Sequence, residues 1–265
     1  MTVGPFWRYY GGKWRAAPRY PRPEQETIVE PFAGAAGYSC RYPSRRVILI
    51  DASPIICGIW RYLIAASPSE ILALPDIPEG GTVDDMGVCQ EARWLAGFWC
   101  NNGAAAPCKS PSAWAREHED RGKQGPWAGW GWKARKRIAA DVQHICHWQV
   151  IQGAYTSAPD IEATWMVDPP YQTAAGRHYK EQVTDYAALG EWVQTRQGQI
   201  IACDQQGADW LPWNRKITLK ATDGAKRDGK SREVYWHRST HPSLFPEQAV
   251  RSAADEAQTA GRCED

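Results

Sequence analysis

An apolar run ending in an acid, two prolines and an aromatic ring, Met166-Val167-Asp168-Pro169-Pro170-Tyr171, holds the side chains best suited to chemistry in this chain. Asp168 offers a carboxylate, Pro169 a carbonyl held in a fixed direction, Pro170 a stiff turn and Tyr171 a flat π face. Proline fixes φ, removes a backbone donor and biases its predecessor towards extended geometry. The tetrapeptide therefore reads either as a strand end with a tight turn or as a rigid frame that presents acceptors beside a ring.

A second group lies upstream. Ile28-Val29-Glu30 is a short β-branched run that leads into Pro31-Phe32-Ala33-Gly34-Ala35-Ala36-Gly37, a turn of small residues with a helix start behind it. A strand, a small-residue loop and a helix N-terminus make a pocket where a nucleotide-like ligand lies against the backbone. Val47-Ile48-Leu49-Ile50-Asp51 is a buried-strand run whose acid falls about twenty residues after Glu30, where such folds place a ribose-binding carboxylate. The loop has no Gly-x-Gly-x-x-Gly, which disfavours NAD and favours a nucleoside cofactor without a pyrophosphate. Further upstream, Tyr10-Gly11-Gly12-Lys13 joins a pair of glycines, which let a backbone approach closely, to a cation. Residues 6–23 show neither helical nor strand period; they read either as an aromatic arm packed on the fold or as part of a site.

These groups need a scaffold. Residues 54–74 carry Ile55, Ile56, Ile59, Trp60, Leu63 and Ile64 at helical spacing, residues 82–106 are expected to be helical around Trp94, Leu95 and Phe98, and a helix is expected from Ala134 to about Gln149. Strands are expected at residues 163–168 and at Gly198 to Asp204, with a helix at Tyr186 to Gln194 between them, so the order implies a parallel α/β sheet with right-handed crossovers. Lys216 to Thr222 and Glu233 to His237 alternate with period two and read as an antiparallel edge hairpin. Its tip carries Lys226, Arg227, Lys230 and Arg232, either as phosphate contacts or as charge guarding an edge strand.

Composition narrows the classes of function. At 265 residues the chain can bury a substantial core. It has no run of about eighteen apolar residues and no basic-then-apolar start, so a soluble, cytoplasmic protein is expected. Lys plus Arg number 31 against 30 acids, so a nucleic-acid partner would have to be met by local clustering rather than net charge. Eight cysteines at scattered spacings argue for free thiols. His144, Cys146 and His147 with Cys89, Cys100, Cys108 and His118 lack any C-x-x-C pair, and no metal is expected. The basic run from Trp127 to Arg137 interleaves Trp130 and Trp132 with Lys133, Arg135, Lys136 and Arg137. It reads either as a surface meeting phosphates and stacked bases or as a solvated helix start.

Taken in order, Tyr10-Gly11-Gly12-Lys13, Glu30-Pro31-Phe32-Ala33-Gly34, Asp51 and Asp168-Pro169-Pro170-Tyr171 resemble the Dam-type, α-group DNA adenine-N6 methyltransferases, which use S-adenosylmethionine. The resemblance extends over about two thirds of the chain. It implies a Rossmann-like methyltransferase fold, mostly parallel with an antiparallel edge hairpin and a mainly helical inserted recognition region. The catalytic domain would comprise residues 1–74 and 151–246, the recognition region residues 75–150, and a flexible tail residues 247–265. It also implies that Glu30 to Gly34, Asp51 and Asp168 hold S-adenosylmethionine with Tyr10 and Lys13 closing over its methionine end, although Lys13 could instead face DNA. Asp168 and the Pro169 carbonyl would accept hydrogen bonds from the target amino group, and Tyr171 would stack on a base flipped from the duplex. DNA is the expected partner, bound by a monomer or weak dimer of phage, prophage or restriction-modification context. One departure is that the family's acidic position before the catalytic motif is Ala154 here. Rival readings are an RNA base-amino methyltransferase and a non-catalytic DNA-binding protein of the same fold; a cytosine-N4 enzyme would usually carry Ser in place of Asp168.

Overall fold

In the computed structural model of the chain, which describes residues 2–101, 103–113, 129–220 and 230–240, the apolar runs become one seven-stranded sheet. Strands β1 (Thr27–Glu30), β2 (Arg46–Asp51), β3 (Gln149–Gln152), β4 (Ala163–Val167) and β5 (Gly198–Gln205) pair in parallel. They are followed by β6 (Arg215–Lys220) and β7 (Lys230–Arg238), and the order across the sheet is β3-β2-β1-β4-β5-β7-β6. β7 runs antiparallel to both β5 and β6, which puts the expected hairpin at one edge. The result is an α/β protein with a mostly parallel sheet, compatible with a Rossmann-like fold.

Strand residues alternate between two cores because successive side chains leave opposite faces of a sheet. Ile28, Val47, Leu49, Met166 and Ile201 face one apolar cluster, which also contains Phe6, Trp7 and Trp60. Val29, Ile48, Ile50, Trp165, Val167 and Ile200 face the other, closed by Leu189, Val193, Trp210 and Leu211. Each fully buried Ile or Leu contributes about 1.5–3 kcal/mol relative to exposure. Trp7, Trp60, Trp99 and Trp165 are among the largest fully buried side chains, so much of the tryptophan complement is core.

Local chemistry divides the helices more finely than periodicity alone suggests. The expected helix over 54–74 is two, α1 (Pro54–Ala65) and α2 (Pro68–Ala73). Pro68 cannot continue a helix from α1, and Ser67 restarts one through a capping box: the Glu70 amide donates to Ser67 Oγ and the Ser67 amide to Glu70 Oε2. In place of a helix over 82–106 there is a 3-10 turn at Val83–Met86, capped by Thr82, and α3 (Gln90–Trp99). The helix expected to reach Gln149 is α4 (Trp132–Val142), which ends early because the chain turns to enter β3. The last helix among the described residues, α5 (Tyr186–Thr195), is capped by Asp185, whose Oδ1 accepts from the Ala188 amide at 2.9 Å.

Parts of the expected recognition region join the first core rather than standing apart. Val83, Leu95, Phe98, Trp130 and Ile138 share the cluster with Phe6, Trp7 and Trp60. The aromatic N-terminal arm is packed on the fold: Phe6 and Trp7 are buried, and two 3-10 turns, Lys13–Arg15 and Ala17–Arg19, carry the chain towards β1. Among the described residues no helix is long and apolar enough to cross a membrane.

Candidate active site

Four adjacent parallel strands each deliver an acid at the same end. Glu30 closes β1, Asp51 closes β2, Asp168 follows β4 and Asp204 lies near the end of β5. The strand sequence reverses direction between β1 and β4, and the crevice outside the carboxyl ends of strands at such a point is where open α/β sheets take ligands. A cavity of about 300 Å³ lies there.

Sequence-distant groups meet in it. Tyr10 and Lys13 come from the arm, Glu30 to Gly34 from the loop after β1, and Asp51, Asp168 and Pro170 from strand ends. Every residue expected to hold the cofactor therefore lines one cavity. Pro169 and Tyr171 lie outside its lining, and the Tyr171 hydroxyl is buried without a hydrogen-bond partner among the described residues. The Pro170 carbonyl accepts from the Tyr186 hydroxyl. No hydrogen bond to the Pro169 carbonyl is made among the described residues.

The loop after β1 is shaped by close backbone approach. Gly34 has φ +45°, and a Cβ there would come within 2.9 Å of the Tyr9 ring. Gly37 lies under the arm, where a Cβ would sit 2.3 Å from the Trp14 nitrogen. The Gly34 amide donates to Asp51 Oδ2 at 2.9 Å, the Ser53 amide to Asp51 Oδ1 at 2.9 Å, and Trp60 Nε1 to the Gly34 carbonyl at 2.8 Å. The Ser39 amide donates to Glu30 Oε1 at 2.7 Å, tying the strand end to the turn that follows the loop.

Burial dominates the electrostatics. It pushes the Asp51 carboxyl up to about 6 against the two amides that favour its anion, and Glu30 up to about 7 against the Ser39 amide. Asp168 is raised by burial as well, opposed by the Lys13 ammonium, whose Nζ lies 2.7 Å from Asp168 Oδ1. Burial works against the charge on Lys13, but Asp168 and the surrounding Tyr171 and Glu233 outweigh it and hold its pKa well above the usual lysine value. Cys203 Sγ donates to the same Asp168 Oδ1 at 3.3 Å.

Several lining groups were not singled out from the sequence. Tyr9 covers Gly34, and Tyr179 ties the loop after β4 to the arm by donating its hydroxyl to the Tyr10 carbonyl at 2.7 Å. Glu181 and Asp185 extend that wall, while Phe32 and Tyr155 pair their rings at 5.7 Å on the other side. Tyr179 stood in a loop recognisable only as polar, and Tyr9 was overshadowed by its neighbour Tyr10.

The expected DNA-facing run divides in two. Trp132 is 52 % exposed, and Lys133 and Lys136 are exposed. Trp130 is buried and donates its indole N–H to the Pro75 carbonyl at 2.9 Å. Arg135 is buried and pairs with Asp76, and Arg137 donates to the Pro5 carbonyl and lies 4.8 Å from the Trp99 ring centroid. Trp130, in the turn before α4, and Arg135 and Arg137, on it, are thus engaged by the fold's own packing, the first two against Pro75 and Asp76 beyond α2 and Arg137 against the arm. Lys226 and Arg227 lie outside the described residues, and Lys230 opens β7. Among the described residues no group of three His, Cys, Asp or Glu side chains is placed to hold a metal.

No protein-family model matches the chain, and no curated protein matches it at a significant level.

Proposed function

We propose that this chain transfers a methyl group from S-adenosylmethionine to the exocyclic N6 amino group of adenine in DNA. The observation that carries the reading is the convergence of four sequence-distant motifs, around Lys13, Gly34, Asp51 and Asp168, on one cavity at the reversal point of the sheet. The cavity suits the cofactor in kind. Its acids, Glu30, Asp51 and Asp168, are held above their usual pKa by burial, so a cationic ligand would relieve an unfavourable concentration of negative charge. Asp51, the backbone of Phe32 to Gly34 and the arm residue Tyr10 are the groups that would hold it. When bound, it supplies an electrophilic methyl group on a sulfonium.

The chain's own groups would then prepare the acceptor. An adenine amino group is a poor nucleophile because its lone pair is delocalised into the ring. Asp168 and the Pro169 carbonyl would accept hydrogen bonds from its two N–H groups, favouring a tetrahedral nitrogen and stabilising the positive charge that develops as its lone pair bonds the methyl carbon, the carbon–sulfur bond breaks to leave a neutral thioether, and the surplus amino proton passes to solvent. The Pro169 carbonyl has no competing donor among the described residues, whereas that of Pro170 is engaged by Tyr186 and fixes the frame. Tyr171 would stack on the flipped base.

The test is transfer of tritiated methyl from S-adenosylmethionine to unmethylated duplex DNA, to ribosomal RNA and to no polymer. Label in duplex DNA, located at N6 of adenine by sequencing DNA from expressing cells, is the expected result. Label in RNA alone, or in neither polymer, overturns the reading.

A further inference from the structure

Lys13 lines the same cavity as the groups that would hold the cofactor, and its ammonium also reaches Asp168. Its ammonium is buried: Nζ lies 2.7 Å from Asp168 Oδ1, donates to the Gly11 carbonyl at 3.0 Å and sits 4.8 Å from the centroid of the Tyr171 ring. A nitrogen bonded to the Asp168 carboxylate above the Tyr171 ring describes the environment assigned above to the target amino group. We propose that Lys13 is the resting occupant of the acceptor subsite, and that a target amino group enters by exchanging with it. The inference rests on the adenine-methyltransferase reading and adds a selectivity device to it.

Three physical points support the exchange. First, the Asp168 carboxylate is largely enclosed and keeps only the weak Cys203 thiol as a donor once Lys13 leaves, so the departure of Lys13 is favoured when another N–H takes its place. A hydroxyl or a bare hydrocarbon edge cannot supply two N–H groups and a flat π face together, whereas an amino group on a planar heteroaromatic ring can. Second, the displaced ammonium has another carboxylate within electrostatic reach: Glu233, buried on β7 with Oε2 accepting from the Tyr20 hydroxyl at 2.8 Å. Third, Lys13 is held firmly in the protonated form, which has no lone pair, so an amine kept in this subsite is not itself a methyl acceptor. The chain can carry an amine beside its own cofactor without modifying it.

Exchange also sets the apparent affinity. If the vacated state is a minor one, binding of the acceptor base is weakened by the fraction of molecules that occupy it. Removing the lysine should therefore tighten substrate capture while harming the chemical step, since an ammonium displaced towards Glu233 would still favour the Asp168 anion from nearby and the variant lacks it.

The test uses the full chain labelled with ¹⁵N-lysine. A slowly exchanging ammonium signal, assigned to Lys13 by its absence in Lys13→Met, should shift in Asp168→Asn. It should shift again when sinefungin and a short duplex carrying the methylated sequence, in unmethylated form, are added together, but not with sinefungin alone. In steady state, Lys13→Met should lower the KM for DNA by about ten-fold and lower kcat as well. A purely structural ion pair would raise KM or leave it unchanged, and that result, or a signal unmoved by target DNA in a protein that methylates it, overturns the proposal. Absence of DNA methylation by the wild-type protein would instead overturn the underlying reading, while the Asp168→Asn shift would still report the resting contact.

Discussion

Asp51 and Gly34 are joined across the floor of the cavity: the Gly34 amide donates to Asp51 Oδ2 at 2.9 Å, so the end of β2 sets the position of the loop after β1. The same carboxyl is pushed up to about 6 by burial. A ligand that uses the carboxylate anion should therefore bind more tightly as pH rises through 6, by about ten-fold between pH 5 and 7. Isothermal titration of S-adenosylmethionine across that range checks this, with Asp51→Asn expected to bind weakly and to lose that part of the pH dependence.

Glu30 also shapes stability. Its ordinary pKa of 4.5 rises to about 7 in the folded chain, so between those values the folded state holds a proton that the unfolded state has lost. Its contribution to stability is full below pH 4.5 and is lost as pH rises to 7, by about 3 kcal/mol. Glu30→Gln keeps an acceptor for the Ser39 amide and should flatten this loss. Urea denaturation at pH 5 and pH 7.5 would show a smaller difference for the variant than for the wild type.

Lys13 and Asp168 should be strongly coupled. Asp168→Ala strands a buried ammonium and is expected to cost about 3–5 kcal/mol of stability as well as all methyl transfer. Lys13→Met/Asp168→Ala removes both charges and should recover most of the stability but none of the transfer. A double-mutant cycle on chemical denaturation supplies the measurement, and additive losses would contradict a buried pair.

The basic face of α4 should separate by exposure. Lys133→Ala/Lys136→Ala is expected to weaken DNA binding and to reduce its logarithmic salt slope by about two, with a smaller effect on Tm than the arginine variants. Arg135→Ala and Arg137→Ala should lower stability by about 1–2 kcal/mol through lost packing and pairing. Fluorescence anisotropy across a salt series and thermal melts distinguish the two classes.

The strands that carry the site were legible because each is an apolar run ending in an acid, and this pattern needs no long-range information. Val47 to Asp51 and Met166 to Asp168 are the clearest cases. β3 was missed because Gln149-Val150-Ile151-Gln152 holds only two apolar residues and becomes a strand by pairing with β2. The break between α1 and α2 was written in Ser67-Pro68-Ser69-Glu70, but apolar spacing ran through it and masked the cap. The tryptophans suggested stacking surfaces, yet Trp7, Trp60 and Trp99 fill the core, since composition does not tell which face of an indole is covered. Nor could spacing show that Lys13 meets Asp168, because the packing of the arm over the strand ends, which sequence does not print, brings them together.

That strand order has a consequence for the integrity of the gene product. β1 and β2 lie between β3 and β4 in the sheet although they precede both in the chain. A cut between α3 and α4 would yield one fragment with Lys13, Glu30 and Asp51 that holds only the β1–β2 pair, and another with Asp168 and Tyr171 in which β3 is separated from β4. The two pieces, produced separately, should each lack the assembled cavity and regain it only on association, so any activity that depends on the cavity would require both to be present together.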